Sequence, residues 1–213
     1  MKPEVYREID FSVLKSEVGH FRLHVVNEET EEGYAFCYYT DEKNLRWDVV
    51  YDKEVEDFTV KIRYPLFTIN DIRFIKESFE EFWPQFLANY EKGLYTSLIS
   101  PKERFTTEYK SKKLAEWDYR EVLPAEIGRL RLDITPDRAI LGINGSYIVA
   151  TYLLPEGRSG IILYYNVYRD EFFCEMMKEG VPVVTHELDA KELKEWEGIL
   201  QEKLANLSEK LIS

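Results

Sequence analysis

Glutamine is nearly missing from this chain of 213 residues: Gln85 and Gln201 stand beside 40 acidic residues. Scarce amides with abundant glutamate fit a warm-growing source. Cysteine is as scarce, and two thiols build no disulfide framework. Cys37 and Cys174 lie in segments that read as strands, where a buried, reduced cysteine is expected. Neither belongs to a Cys-x-x-Cys or has bases beside it to activate it. No apolar run approaches the ~18 residues that span a bilayer. The segment Met1–Glu8 has no apolar h-region, so no signal peptide is expected and the cytoplasm is the expected compartment. Basic residues are outnumbered 28 to 40, and the net charge of −12 repels nucleic acid and anionic membranes.

Motifs of chemistry are missing too. There is no Gly-x-Gly-x-x-Gly, Walker loop, Gly-x-Ser-x-Gly, His-Glu-x-x-His or EF-hand pattern, so no cofactor is expected. Of three histidines, His20 and His24 are four apart, but on a strand that spacing is ~13 Å, too far for one metal. His186 precedes the final helix, where a histidine more often settles a turn than transfers protons.

What is present is a globular composition, 45% hydrophobic and 15% aromatic, enough for real cores. It is also a repeated sequence. Tyr6–Ile9 recurs as Tyr119–Val122, Glu17–Leu23 (EVGHFRL) as Glu126–Leu132 (EIGRLRL), and Leu87–Tyr90 as Leu204–Leu207, at offsets of 113, 109 and 117 residues. Three matches in one order predict an α+β chain made by internal duplication. Each repeat is an antiparallel β-meander followed by a long C-terminal helix packed on the sheet. The repeats are placed at residues 1–100 and 113–213, with a polar linker at 101–112.

In the first repeat, period-two alternation predicts strands over 21–25, 34–39, 45–51 and 58–64, and a helix from about Asp71 to Tyr95 kinked or restarted at Pro84. In the second, strands are predicted at 130–134, 146–154, 161–168 and 181–185. Asn144-Gly145 signals a hairpin, and 172–177 is ambiguous between strand and helix. The last helix is expected to start at Asp189, with Glu192 completing a capping box and Trp196 and Leu200 buried against a sheet.

One feature departs from the acidic average. The polar face of the first sheet gathers Arg22, His24, Arg46, Lys61 and Arg63, with Asp48 opposing them. Such a face suits a phosphate, a carboxylate or an acidic partner segment. The plainer reading is a solvated sheet face whose charges pair across strands, worth ~0.2–1 kcal/mol per pair. Matching apolar with apolar fixes the 45–51/58–64 hairpin at pairs whose numbers sum to 109. Arg46 then stands opposite Arg63, and Asp48 opposite Lys61. Two opposed arginines call for an anion between them, and an acid of the chain itself that caps both would remove the need. The second repeat has apolar or aromatic residues on both faces of its central strands, so both faces are expected to be covered.

The leading functional expectation is a non-enzymatic cytoplasmic binding or adaptor protein, holding a protein partner or a second copy on its sheet surface or in an inter-lobe groove. A domain that binds an anionic or aromatic small molecule, and an enzyme of unknown class, are the alternatives.

Overall fold

A computed structural model, describing residues 9–43, 45–142 and 144–212, has an α+β architecture with two antiparallel sheets and a C-terminal helix. The chain divides into two compact units, with the boundary between Ile99 and Ser100.

The first sheet is a meander in chain order: β1 (Glu17–Val18), β2 (Phe21–Thr30), β3 (Gly33–Thr40), β4 (Arg46–Asp52), β5 (Asp57–Arg63) and β6 (Thr68–Asn70). The alternation of β4 and β5 sends Trp47, Val49, Val60 and Ile62 to one face, where they are buried with Phe21, Phe36 and Tyr39. Helix α1 (Phe79–Leu94) meets that face through aromatic rings. Phe82 lies 5.8 Å from Phe58, Phe86 5.8 Å from Trp47, and Tyr90 6.2 Å from Tyr39. The helix expected from Asp71 starts later because residues 72–74 form a single 3-10 turn and Lys76 pairs back with Phe58. Ser78 then caps α1, accepting from Glu81 N at 3.3 Å, and the helix runs through Pro84. Arg73 ties the two ends of this region together. It binds Asp71 and donates to Thr96 Oγ1 at 2.8 Å and Ser97 Oγ at 2.7 Å, in the π-helical turn Tyr95–Ile99.

The second unit opens where a linker was expected. Residues 101–112 contain the 3-10 turn Pro101–Arg104 and the short helix α2 (Thr107–Ser111), and Phe105 and Tyr109 are buried in the second core. Their rings meet 4.5 Å apart although Phe105 precedes the helix, an apolar pair that the polar residues around it hid. Then follow β7 (Glu126–Ile127), β8 (Leu130–Leu132), β9 (Ile140–Leu141), β10 (Ser146–Leu153), β11 (Gly160–Asn166), β12 (Glu171–Lys178) and β13 (Val181–Ala190). Their order is β7-β8-β10-β11-β12-β13, with β9 pairing β10 off that path. The ambiguous 172–177 is strand. β13 runs five residues past the expected end, so α3 (Leu193–Ile212) starts four residues after Asp189. The Asp189 carboxylate lies 2.7 Å from His186 Nδ1, as acceptor, rather than capping the helix, and Glu195 reaches back to accept from Lys191 N at 3.2 Å. Trp196 stacks 4.4 Å from Phe172, and it and Leu200 are buried. β13 is an edge strand with Val181 and Val184 exposed, and Pro182 there withholds a ladder donor from any added strand. Among the described residues no helix is long and apolar enough to cross a membrane.

Taken separately, the two units share a pairing geometry. Glu17 pairs with Arg22 around Gly19 (φ 61°), and Glu126 with Arg131 around Gly128 (φ 58°). Positive φ at the first turn residue is what a two-residue type II′ turn demands. Tyr39 and Tyr152 each donate a hydroxyl at 2.8 Å to the carbonyl two residues before that glutamate, on Lys15 and Pro124. Tyr34 pairs with Tyr51 and Tyr147 with Tyr165. Each ladder then skips one residue, Phe36 or Val149, in a bulge. Tyr51 pairs with Phe58 and Tyr165 with Phe172, at ring distances of 4.9 and 5.0 Å. The loops between them end on Glu56 (φ 59°) and Asp170 (φ 49°). From Trp47 and Ile161 onward the correspondence is a constant shift of 114 residues, through Phe58–Lys76 and Phe172–Ala190, to helix starts at Phe79 and Leu193.

Candidate functional site

The hairpin of β4 and β5 has the register expected from the sequence: Arg46 opposite Arg63, Trp47 opposite Ile62, Asp48 opposite Lys61 and Tyr51 opposite Phe58. Alternation therefore puts Arg46, Asp48, Lys61 and Arg63 on the face turned away from α1. The unneutralised arginine pair is not there. Asp48, with a side chain only 4% exposed, accepts from Arg46 Nε at 2.9 Å, Arg46 Nη2 at 3.1 Å and Arg63 Nε at 2.6 Å. This corrects the expected anion site between the two arginines. A residue two along the same strand faces the same way, so the acid that serves both was two places from Arg46 in the sequence.

Lys61 does not pair with the Asp48 opposite it. Its Nζ lies 2.8 Å from Asp52 Oδ2 and 3.6 Å from Glu32 Oε2. Glu32 also accepts from Arg63 Nη2 at 3.0 Å. Three cations thus meet three carboxylates. Of the other expected residues, His24 stacks on Tyr38 with ring centroids 4.8 Å apart, and Tyr38 carries the Arg46 guanidinium 3.9 Å from its centroid. Arg22 does not join them and pairs with Glu17 at 3.3 Å.

Backbone irregularity brings Glu32 here. One residue too many on β2 between Val25 and Glu28, with Asn27 at φ 51°, and the bulge at Phe36 on β3 bend the β2–β3 hairpin. Its tip comes to the end of β4, where Lys53 N donates to Glu32 O at 3.0 Å. Gly33 makes the approach possible. It holds φ 146°, and a Cβ there would lie 2.0 Å from the Tyr51 carbonyl oxygen. The hollow so formed has a volume of about 380 Å³. Six of its thirteen lining residues are charged: Glu31, Glu32, Arg46, Asp48, Lys61 and Arg63.

The titration of these groups follows from the contacts. The Arg63 hydrogen bond and charge hold Glu32 below the usual carboxylate range. Burial pushes Asp52 up, but Lys61 and the amides of Glu54 and Val55 outweigh it, and the net shift is down. Burial pushes Arg63 down, and Asp48 and Glu32 more than reverse it. Cys37, which also lines the hollow, has its thiol pushed far up by burial and by Asp48, so it stays protonated. Among the described residues no group of three or more His, Cys, Asp or Glu side chains is placed to hold a metal ion. Sequence reasoning missed Glu32, Asp52 and Tyr38. Tyr38 was legible from alternation, whereas Glu32 depends on bulges that leave no composition signal. Compared with protein-family models, curated proteins and solved structures, the chain matches none.

Proposed function

We propose that this is a non-enzymatic binding protein that receives a polypeptide partner on the helix-free face of its first sheet, and that its two units arose by duplication. The observation that carries the binding reading is the charged hollow formed where two irregularities bend the first sheet. Here side chains of alternating sign are held in register, with Tyr38 as a flat platform beside them, which suits the mixed charge and amides of a polypeptide. The protonated state of Cys37 favours binding over thiol chemistry at this place.

The shared pairing geometry supports the duplication, and the constant shift of 114 residues supports a helix alignment different from the 117 read from Leu87–Tyr90. Under that alignment Arg46, Asp48, Lys61 and Arg63 correspond to Gly160, Ile162, Glu175 and Met177. The scaffold is common and the hollow's chemistry belongs to the first unit alone. An experimental structure in which 46–93 and 160–207 superpose only with a gap would remove this support.

The binding reading is tested by selecting peptides from a display library with the full-length chain and rebinding them to Tyr38→Ala, whose fold is checked by its thermal midpoint. Binders weakened at least ~10-fold are expected. No binders, or binders indifferent to Tyr38→Ala, would overturn it.

A further inference from the structure

The three carboxylates ion-paired with Arg46, Lys61 and Arg63 are not alike. Asp48 and Asp52 are buried and belong to strand β4. Glu32 lies in the two-residue turn between Thr30 and Gly33, and its side chain is 62% exposed while it touches both Arg63 and Lys61. Among the ion-paired groups Arg46, Lys61 and Arg63 face Asp48, Asp52 and Glu32, and Glu31 adds a further acid to the lining. With the Glu32 carboxylate withdrawn, two cationic positions lose their one exposed partner. Those positions are Arg63 Nη2 and Lys61 Nζ, since Arg63 Nε and both Arg46 contacts are committed to Asp48.

We propose that the hollow takes a carboxylate group from a partner, which replaces the Glu32 carboxylate on Arg63 Nη2 and Lys61 Nζ. Glu32 is then a built-in competitor that occupies those two cationic positions. The inference rests on the binding reading above and names the chemistry of its ligand. A carboxylate replaces the Glu32 group charge for charge, and a phosphate dianion meets Asp48, Asp52 and Glu31 as like charges. The exposed Glu32 contact is weak enough to exchange, being solvated at the rim and made by a rotamer-rich side chain. The chain's net charge of −12 does not forbid an acidic ligand, because distant charges are screened beyond ~8 Å at physiological salt.

The test uses the full chain and a fluorescein-labelled hexaglutamate peptide, followed by polarisation. Glu32→Gln removes the competitor at an exposed side chain, and far-UV circular dichroism verifies the fold. The peptide should bind Glu32→Gln at least ~10-fold tighter than wild type, and adding Lys61→Gln should abolish that gain. Competition with free glutarate separates sources. Glutarate that competes as well as unlabelled hexaglutamate places recognition in the carboxylate alone. Glutarate that competes poorly places part of it in the peptide backbone, and both results agree with a carboxylate site. Inorganic phosphate competing better than glutarate would overturn it. So would equal affinity of wild type and Glu32→Gln, no binding by either, or a gain that survives Lys61→Gln. Display-selected peptides keep the two readings apart. If Tyr38→Ala abolishes their binding and Glu32→Gln leaves it unchanged, the carboxylate inference falls and the binding reading stands.

Discussion

Replacing Asp48 by asparagine keeps the shape of the side chain and removes the charge that both arginines share. Three charge-assisted hydrogen bonds converge on Asp48, and Arg46 and Arg63 face each other directly across the strands. Removing one member of a fully buried ion pair costs about 3–5 kcal/mol. The arginine side chains keep 40% and 35% of their exposure, so water takes up part of the released charge. We expect about 2 kcal/mol, between the buried and surface limits. The two units need not unfold together, so one global unfolding energy is the wrong readout. Hydrogen exchange of the β4 and β5 amides reads the first sheet by itself, and the loss corresponds to exchange about 30-fold faster there. A second background gives the sign. With Arg46→Met and Arg63→Met already present, Asp48 is a buried acid without either arginine, and Asp48→Asn should then stabilise. Equal cost in both backgrounds would refute Asp48 as the shared partner and return the two arginines to independent, solvated positions.

Thr59→Val should stabilise by about 1 kcal/mol, measured by the same exchange, because the buried Thr59 hydroxyl has no hydrogen-bond partner and valine has nearly its shape. Gly33→Ala should cost about 3 kcal/mol and loosen the β2–β3 tip, since its Cβ meets the Tyr51 carbonyl; unchanged exchange at Tyr34 and Tyr51 would contradict this. Trp196→Ala should cost ~3–5 kcal/mol in the second unit, read from exchange in β12 and α3, while β4 and β5 stay as they were. Acid should weaken the first sheet's hairpin tip. Glu32 and Asp52 are held below their ordinary values when folded, so their contribution is complete above the unfolded values of ~4. It is lost as pH falls below that, and exchange protection that stayed constant from pH 5 to 3, after correction for intrinsic rates, would deny the pairing.

Much of this fold was written in period-two alternation. The four long strands of the first unit and the register of β4 with β5 follow from where apolar residues fall, because a slip by one residue would turn Trp47 and Val49 to the other face. Strands of two or three residues, such as β1 and β6, carry no period. The region 71–78 shows a different failure. Ile72 and Ile75 continue the stripe of α1, yet Ile72 is exposed, because this stretch closes the sheet edge through Lys76 before Ser78 can start a helix. Spacing alone does not distinguish a helix from a chain that pairs first and winds later. In the second unit the same region reads as helix from Asp189, and there too strand pairing at Ala190 delays the start.

The charged hollow shows why a list of basic residues is a poor guide to a site. Arg22, His24, Arg46, Lys61 and Arg63 share a face by alternation, but each side chain's partner is set by details finer than the face. Asp48 serves both arginines because it is two residues from one and across a strand from the other. Lys61 turns along the strand to Asp52 and leaves its opposite number alone. Glu32 arrives only because two bulges and one glycine bend a hairpin that ideal pairing would keep straight. The second unit has the bulge at Val149 as well, without the charges, so curvature by itself does not make the hollow. What distinguishes the first unit is a group of cations on adjacent strands with one of their paired carboxylates on an exposed turn, and it is from that arrangement that we infer the partner's chemistry.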